Sequence, residues 1–357
     1  MNKKIALVGD THFGYRKAID IFSNYQQKFI DEVLFPYLLE NDIKIVVQFG
    51  DLFESRKVIN GKTLKFVHEQ WFKRFEENDI TLYQMNGNHD VFFKNTNRIN
   101  WIDSMLDNST YTKIINCSDV ETHKIYDTDI DILPWINEEN EHKVFDHMKN
   151  SKAKYLFGHL EMSGFELTPG HFSQHGHSMK PFKKYDRVLS GHYHIRSKKG
   201  NIQYTGIPYQ LNWNDSQDKK GFWILDTEKD NIEFIENKNR LFHKIDYDEN
   251  DIDLKTFDFD SLRKSYVKVI IRNKKDESKF NDFLTRLNSL SLHDLSIIST
   301  NEIYDHDIDL EDIEIEDTLS ILTKFVLKNV NDNLDEDRVV KHIKNLYSEG
   351  LLLMKDI

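Results

Sequence analysis

The sequence predicts an α/β fold: a sandwich of two sheets flanked by helices, followed by a small α/β domain and C-terminal helices. In about the first hundred residues, apolar runs typical of strands alternate with segments of helical periodicity, which is the pattern of a doubly wound sheet. Past residue 200, strand-like runs at 201–204, 221–226 and 231–235, separated by polar turns, are expected to be antiparallel and predict a second sheet facing the first. The length of 357 residues suits two or three domains.

The first half of the chain follows a strand–helix order. After a strand at about 5–8, helical spacing extends over 21–39, with aromatic and β-branched residues on one side. A strand is expected at 43–49, a helix at 61–77 and a third strand at 80–83. A further helix over 99–106 completes this part of the predicted sheet.

The next segment is built from shorter elements. Short strands are expected over 111–135, a helix over 138–150 and a strand ending at His159, and antiparallel strands after residue 200. The loop 163–182 between them is rich in Gly, Pro and His. A substrate-facing loop is favoured there over a separate metal site formed by His171, His175 and His177.

Beyond residue 240 the organisation changes. The acidic segment 241–260 shows no clear periodicity, so we place a domain boundary there. The predicted units are a domain over 1–245, a small β-α-β domain over 246–300, an acidic linker over 301–317 and a helical segment over 318–357. The two apolar stripes of the last segment would bury little alone. The pattern leaves open whether they fold onto the small domain or dock on a partner.

Composition restricts the function classes. The net charge is −12, but the run 302–317 contains nine acidic residues and no Lys or Arg, and without it the charge would be −3. A nucleic-acid-binding role therefore remains open, provided that basic residues are locally clustered. The single cysteine, Cys117, excludes an internal disulfide and suits a reducing compartment. No membrane span or secretion signal is visible, so we expect a cytoplasmic location.

Five strand-like runs end in residues that bind metals. They are followed by Gly9-Asp10-Thr11-His12, Gly50-Asp51, Gly87-Asn88-His89-Asp90, Gly158-His159 and Gly191-His192-Tyr193-His194. Each glycine allows a sharp turn where a side chain would crowd the site, and open α/β sheets place their chemistry at the carboxyl ends of strands. One such motif fits an ordinary turn, whereas five in one chain favour a metal site.

These motifs, in this order, resemble those of the calcineurin-like metallophosphoesterases. Within that family the chain is similar to the SbcD-type DNA-repair nucleases, including the recombination endonuclease subunits of T-even-type bacteriophages. Supporting stretches are Gly50-Asp51-Leu52-Phe53, Leu133-Pro134-Trp135, Tyr204-Thr205-Gly206-Ile207-Pro208 and Gly221-Phe222-Trp223-Ile224-Leu225-Asp226. The resemblance is specific over residues 1–245. Beyond these it is general, with the small domain in the place of the family's capping domain.

The resemblance implies a site for two divalent metal ions. One ion would be held by Asp10, His12 and His194, the second by Asn88, His159 and His192, and Asp51 would bridge both. This ligand set, which lacks cysteine, suits Mn²⁺, Mg²⁺ or Fe²⁺ rather than a thiolate zinc site. We expect Mn²⁺ to be preferred and Mg²⁺ to be possible. Two ions about 3.5–4 Å apart can clamp a phosphodiester and activate water without a side-chain base.

His89 is adjacent to a ligand but is not itself a ligand in the family pattern. The resemblance assigns it to protonating the leaving sugar oxygen or to stabilising the phosphorane charge, although it could simply support the ligands. We expect Asp90 to orient its ring. Many relatives carry a histidine after Gly-Asp-Leu-Phe, where this chain has Glu54. A second histidine near the leaving group is therefore in doubt.

The expected substrate is DNA and the expected partner an SMC-like ABC ATPase of the SbcC type, bound through the C-terminal helices. Basic residues near the motif loops could contact phosphates without reading sequence; they are Arg16, Lys17, Arg56, Lys57, Lys94, Arg98, Lys198 and Lys199. No Walker A loop is present, so an ATPase must be another chain. Family members usually also pair with a second copy.

The resemblance implies 3′-to-5′ exonuclease activity on duplex ends and endonuclease activity on single strands, in recombination and repair. A second interpretation is a phosphatase or phosphodiesterase acting on substrates other than DNA. Against it, Gly-Asp-Leu-Phe-Glu-Ser stands where protein phosphatases carry Gly-Asp-x-x-Asp-Arg-Gly. A third is a non-enzymatic scaffold with a degenerate site, which the intact ligand motifs disfavour.

Overall fold

The computed structural model describes residues 3–106, 111–168 and 171–299. The predicted acidic linker and C-terminal helical segment lie outside these residues. The strands up to residue 236 are, in chain order, β1 Lys4–Val8, β2 Ile45–Gln48, β3 Thr81–Met85, β4 Ile114–Cys117, β5 Glu121–Ile125, β6 Thr128–Leu133, β7 Tyr155–His159, β8 Glu166–Thr168, β9 His171–Phe172, β10 Arg187–Gly191, β11 Ser197–Lys199, β12 Ile202–Tyr204, β13 Gly221–Asp226 and β14 Asn231–Glu236.

The helices of the described chain are α1 Tyr15–Ala18, α2 Asp20–Phe29, α3 Phe35–Glu40, α4 Gly61–Phe66, α5 Lys73–Glu77, α6 Trp101–Met105, α7 Glu141–Asn150 and α8 Glu277–Asn288. The π-helical turns Ile30–Leu34 and Val67–Phe72 make continuous helical segments of α2–α3 and of α4–α5. Short 3₁₀ turns lie at Lys180–Lys184, Asn214–Gln217 and Asp260–Leu262. Within the described ranges, none of the helices has the length and hydropathy that crossing a membrane requires.

Two six-stranded sheets form the centre of the molecule. The first has the order β14-β13-β1-β2-β3-β4, in which β1 to β4 are parallel. The second has the order β11-β12-β10-β7-β6-β5, in which β6, β7, β10 and β12 are parallel. The predicted pair of facing sheets is therefore confirmed. The strands at 221–226 and 231–236, however, were expected in the second sheet and instead pair antiparallel beside β1 in the first.

The core consists of three apolar layers. Leu7, Val47 and Phe49 of the first sheet pack with Phe157 and Leu189 of the second in the middle layer. The outer face of the first sheet is covered by the aromatic residues of α2 to α5, and that of the second by α7. The apolar stripes of the helices, read from their 3.6-residue spacing, are thus buried against sheets on both sides.

Three parallel strands form a smaller sheet, β15 Phe242–Asp248, β16 Tyr266–Asn273 and β17 Asp294–Ser299. The β16-α8-β17 unit matches the predicted β-α-β unit. Strand β15 lies in the segment that was expected to be aperiodic. Its apolar residues Phe242, Ile245 and Tyr247 do not alternate strictly with polar residues, and its register shifts at Tyr247. The sequence therefore does not show the two-residue periodicity that predicts a strand.

A buried chain of side-chain amides connects the ends of the first three strands. Trp71 Nε1 donates to Gln84 Oε1 at 3.3 Å, and Gln84 donates in turn to Gln48. Gln48 Nε2 then donates to the carbonyls of Gly9 at 3.2 Å and Gly50 at 2.6 Å. Both glutamines are fully buried, so their polar atoms depend on these bonds. The network fixes the turns that precede Asp10 and Asp51.

Candidate metal centre

The seven residues proposed as ligands from the sequence lie at one end of the two sheets. Five loops carry them, and each loop begins at or just after the carboxyl end of a parallel strand, β1, β2, β3, β7 or β10. The seven residues are Asp10, His12, Asp51, Asn88, His159, His192 and His194. Most are nearly or fully buried, whereas His192 and His194 are partly exposed. Positions spread over nearly two hundred residues of sequence therefore converge.

Asp10, His12 and His194 form the first group. One potential ligand atom from each lies within 4.8 Å of the others. His12 Nε2 and His194 Nε2 are only 3.1 Å apart. Both nitrogens therefore face the same small volume, as two ligands of one ion would.

Asp51, His159 and His192 form the second group, again with ligand atoms within 4.8 Å of one another. Asn88 Oδ1 joins them, at 2.9 Å from His159 Nε2 and 3.0 Å from His192 Nδ1. His159 Nδ1 donates to the Phe49 carbonyl at 2.7 Å. This bond directs Nε2 at the group, where it can bind a metal once it has lost its hydrogen.

Asp51 lies between the two groups. Its Oδ2 is 3.4 Å from His159 Nε2 and 3.9 Å from His12 Nε2. Its other oxygen, Oδ1, accepts a hydrogen bond from the His89 amide at 2.7 Å. One carboxylate thus reaches both groups, which is the position that a bridging ligand requires.

The electrostatics of the site favour a cation. Burial and the nearby Asp51 raise the pKa of Asp10 to about 7, against the influence of His159. Burial opposes protonation of His12 and His159, yet the surrounding carboxylates raise their pKa values to about 10 and about 9. His194, in contrast, has its pKa lowered to about 4 by burial and by His12. Two adjacent buried carboxylates favour protonation of the groups around them, and divalent ions would supply the same positive charge. The residues present therefore fit the metals that the family pattern implies.

The glycines of the motifs allow close approach to the ligands. A Cβ added at Gly87 would lie 2.1 Å from Asp51 Oδ1 and 2.3 Å from the Asp51 amide nitrogen. At Gly191, it would lie 2.4 Å from Asp10 Oδ1. No side chain fits at either position without displacing a carboxylate of the site.

His89 belongs to neither of these two groups, but it forms a third with His12 and Glu54, whose potential ligand atoms also lie within 4.8 Å of one another. Its ring centroid is 5.1 Å from that of His12, and its Nδ1 lies 2.5 Å from the Glu54 carbonyl oxygen. The expectation that Asp90 orients this ring is wrong. Asp90 instead accepts hydrogen bonds from the amides of Leu52, Phe53 and Gly87, and so ties together the turns after β2 and β3.

Two residues at the site were not singled out as contacts from the sequence. Glu54 Oε2 lies 2.9 Å from His12 Nδ1. The indole of Trp135 packs against the rings of His192 and His159, with centroids 5.3 and 6.0 Å away. The sequence indicates the contact of Glu54 only through its position, three residues after Asp51. Trp135 belongs to the stretch Leu133-Pro134-Trp135 that resembles the family, and the sequence gives no indication of its ring contacts.

The basic residues suggested as DNA contacts lie in the short helix α1, in the loops after β2 and β3, or on β11. All except the half-buried Arg56 are exposed; the exposed ones are Arg16, Lys17, Lys57, Lys94, Arg98, Lys198 and Lys199. Arg98 pairs with Glu139, and the ammonium group of Lys199 lies over the rings of Phe165 and Phe172. Their contact with DNA stays a prediction.

The histidine-rich loop contains the short hairpin β8–β9. Within the described ranges, the clusters of metal-binding side chains include none of His171, His175 and His177. His177 instead lies 3.7 Å from Glu141 of α7. The substrate-facing role of this loop stays a prediction.

Comparison with known proteins identifies the family. The family model described as calcineurin-like phosphoesterase matches residues 3–196, more than half of the chain. The chain belongs to the calcineurin-like phosphoesterases. As a member, it is a metal-dependent phosphoesterase whose cofactors are divalent metal ions, as the resemblance implied.

The similarity to one curated protein extends over almost the whole chain. This chain is 30% identical over 354 residues to exonuclease subunit 1 of Enterobacteria phage T4. The aligned region covers 97% of this chain and 99% of that protein. The resemblance to phage nuclease subunits is thereby confirmed. Among solved structures, a novel archaeal phosphodiesterase is similar over 66% of this chain and 99% of its own, with 15% identity and a TM-score of 0.33.

We expect Gly87→Ala to impair metal binding rather than folding alone, because the new methyl group would displace Asp51. Mn²⁺ titration followed by calorimetry should show binding weakened by at least about tenfold. Gly61→Ala is the matched control, since no atom lies within 4 Å of its added Cβ. Equal Mn²⁺ affinity in the two variants would contradict the close approach described here.

Metal binding should tighten as the pH rises from 6.5 to 8.5. The pKa values of His12 and His159 are raised to about 10 and about 9. Both rings are therefore positively charged over most of this pH range, and a binding cation must displace a proton from each. Calorimetry in two buffers with different ionisation enthalpies should reveal proton release at pH 7. A constant affinity without proton release would contradict the raised pKa values.

Proposed function

We propose that this protein is the nuclease subunit of a DNA recombination and repair complex, using two metal ions. It would digest duplex ends in the 3′-to-5′ direction and cut single strands internally. The observation that carries the proposal is the 30% identity, over nearly the full length of both chains, to a protein named exonuclease subunit 1. The geometry of the metal centre supports the chemistry that such a role requires.

We assign the ligands as two sets with one shared member. Asp10, His12 and His194 would hold one ion, Asn88, His159 and His192 the other, and Asp51 both. The support is that two of the three clusters of potential ligands correspond to these sets, with Asp51 positioned between the two. When bound, two such ions lower the pKa of a water molecule and stabilise negative charge on the phosphodiester. Oxygen and imidazole ligands favour Mn²⁺, with Mg²⁺ as a possible substitute.

His89 is assigned to proton transfer. Its Nδ1 faces the Glu54 carbonyl oxygen, which can only accept a hydrogen bond, so Nδ1 carries a hydrogen in both charge states of the ring. A proton that the ring delivers would therefore come from Nε2. A protonated Nε2 would donate to the leaving sugar oxygen, while the adjacent ligand Asn88 keeps the ring beside the metal centre.

The proposed partners are DNA, an SMC-like ABC ATPase of the SbcC type, and a second copy of this chain. The name of the phage relative, a subunit, supports a complex. The exposed side chains of Phe92, Phe93 and Ile99, in the loop directly after the His89 motif, support pairing between copies. The ATPase would bind the C-terminal helical segment, and the complex would act in the host cytoplasm.

Asp51→Ala should abolish digestion of end-labelled duplex DNA in the presence of Mn²⁺, because both ions lose a ligand. The wild type should degrade the DNA, alone or with the ATPase. Asp146→Ala, at an exposed position of α7, should retain wild-type activity. Hydrolysis of p-nitrophenyl phosphate by the wild type without any digestion of DNA would instead favour a phosphatase acting on other substrates.

His89→Asn should reduce kcat by about 10²–10⁴-fold, the usual contribution of a general acid, and should leave Mn²⁺ affinity within a few-fold of wild type. Single-turnover digestion and Mn²⁺ calorimetry measure the two effects separately. His142→Asn, at a histidine with 91% side-chain exposure, serves as control. A collapse of metal affinity in His89→Asn would assign the ring to the support of the ligands.

A further inference from the structure

Glu54 belongs to neither proposed ligand set, although it forms a third group of potential ligand atoms with His12 and His89. It lies three residues after Asp51, and its amide donates to the Phe13 carbonyl at 3.1 Å. Phe13 directly follows His12 in the chain, and Phe13 and Phe53 form a parallel bridge. The main chain around Glu54 is thus attached to the segment that carries His12.

The side chain and the main chain of Glu54 contact different imidazoles. Its carboxylate oxygen Oε2 lies 2.9 Å from His12 Nδ1, while its carbonyl oxygen lies 2.5 Å from His89 Nδ1. The first contact involves a proposed ligand and the second the proposed proton donor. A substitution of the side chain therefore removes the first contact and keeps the second.

The two nitrogens of His12 face different partners. Nε2 faces His194 Nε2 at 3.1 Å, within the first ligand group, and Nδ1 faces Glu54. No hydrogen bond to Nδ1 is formed within the described residues, so the 2.9 Å contact with the carboxylate acts through its charge. A negative charge at this position favours hydrogen on Nδ1 and leaves the lone pair on Nε2, where a metal would bind.

We propose that Glu54 is a positioning residue for metal binding: its carboxylate holds the His12 ring in the tautomer and orientation that direct Nε2 at the first ion. A carboxylate behind a ligating imidazole makes the ring a better donor and adds negative charge close to the cation. The inference rests on the proposed two-ion function, and it concerns a residue outside both ligand sets.

The test is Mn²⁺ binding by Glu54→Gln, which preserves the shape of the side chain and removes its charge. The Mn²⁺ concentration for half-saturation, measured by calorimetry and by the electron paramagnetic resonance of free Mn²⁺, should rise by about 10–100-fold. With saturating Mn²⁺, kcat should return to within a few-fold of wild type. Glu54→Ala should weaken binding at least as much, because it also removes the side-chain oxygen.

The control is Glu69→Gln, which removes an exposed carboxylate from a helical pair with Lys65 and should bind Mn²⁺ as the wild type does. Thermal unfolding verifies that each variant is folded, and the Glu54 side chain is one-third exposed, so its loss should not unfold the chain. The pH dependence of kcat should be unchanged, because the carbonyl contact with His89 remains.

Three outcomes would overturn the inference. If wild type binds Mn²⁺ and Glu54→Gln binds it equally well, the carboxylate does not position His12. If kcat stays low in Glu54→Gln at saturating Mn²⁺, or its pH profile shifts while Mn²⁺ affinity is unchanged, Glu54 acts through His89. If the wild type binds no Mn²⁺, the proposed two-ion function fails, and the inference with it.

Discussion

The proximity of two buried carboxylates, Asp10 and Asp51, is the constraint on which the metal centre depends. Each is almost inaccessible to solvent, and like charges in such surroundings are costly unless an opposite charge accompanies them. Histidines provide that charge when they are protonated, as the raised pKa values of His12 and His159 indicate. Divalent cations can replace those protons at the same place. The need to neutralise the two carboxylates thus affects both the folding of the site and its ability to bind metal ions.

The fold meets this constraint by joining the ligand loops through their main chains. The Asp51 carbonyl accepts hydrogen bonds from the amides of Thr11 and His12 at 3.1 and 2.9 Å. The Asp10 carboxylate accepts one from the His192 amide at 2.9 Å, which links the first sheet to the second. Each loop is therefore held by another loop as well as by its own strand. The precision of the site comes from two sheets ending at one place.

Much of this arrangement could be predicted from the sequence, because it is encoded locally. Apolar runs followed by glycine and a ligand mark strand ends, and parallel strands place such ends at one edge. What could not be predicted depends on contacts between distant segments. Asp90 was expected to orient the ring of its neighbour His89. Its carboxylate instead accepts hydrogen bonds from the amides of Leu52 and Phe53, which no local pattern reveals. Strand β15 was missed because its register shifts at Tyr247.

The amide of Gln48 has a consequence for the turns that carry Asp10 and Asp51. Through one side chain it holds the carbonyl that precedes Asp10 and both main-chain polar groups of Gly50. Neither turn can shift without breaking bonds that constrain the other. A displacement of one turn would therefore be transmitted to the other, and Trp71, at the far end of the amide chain, is connected to both turns through Gln84 and Gln48.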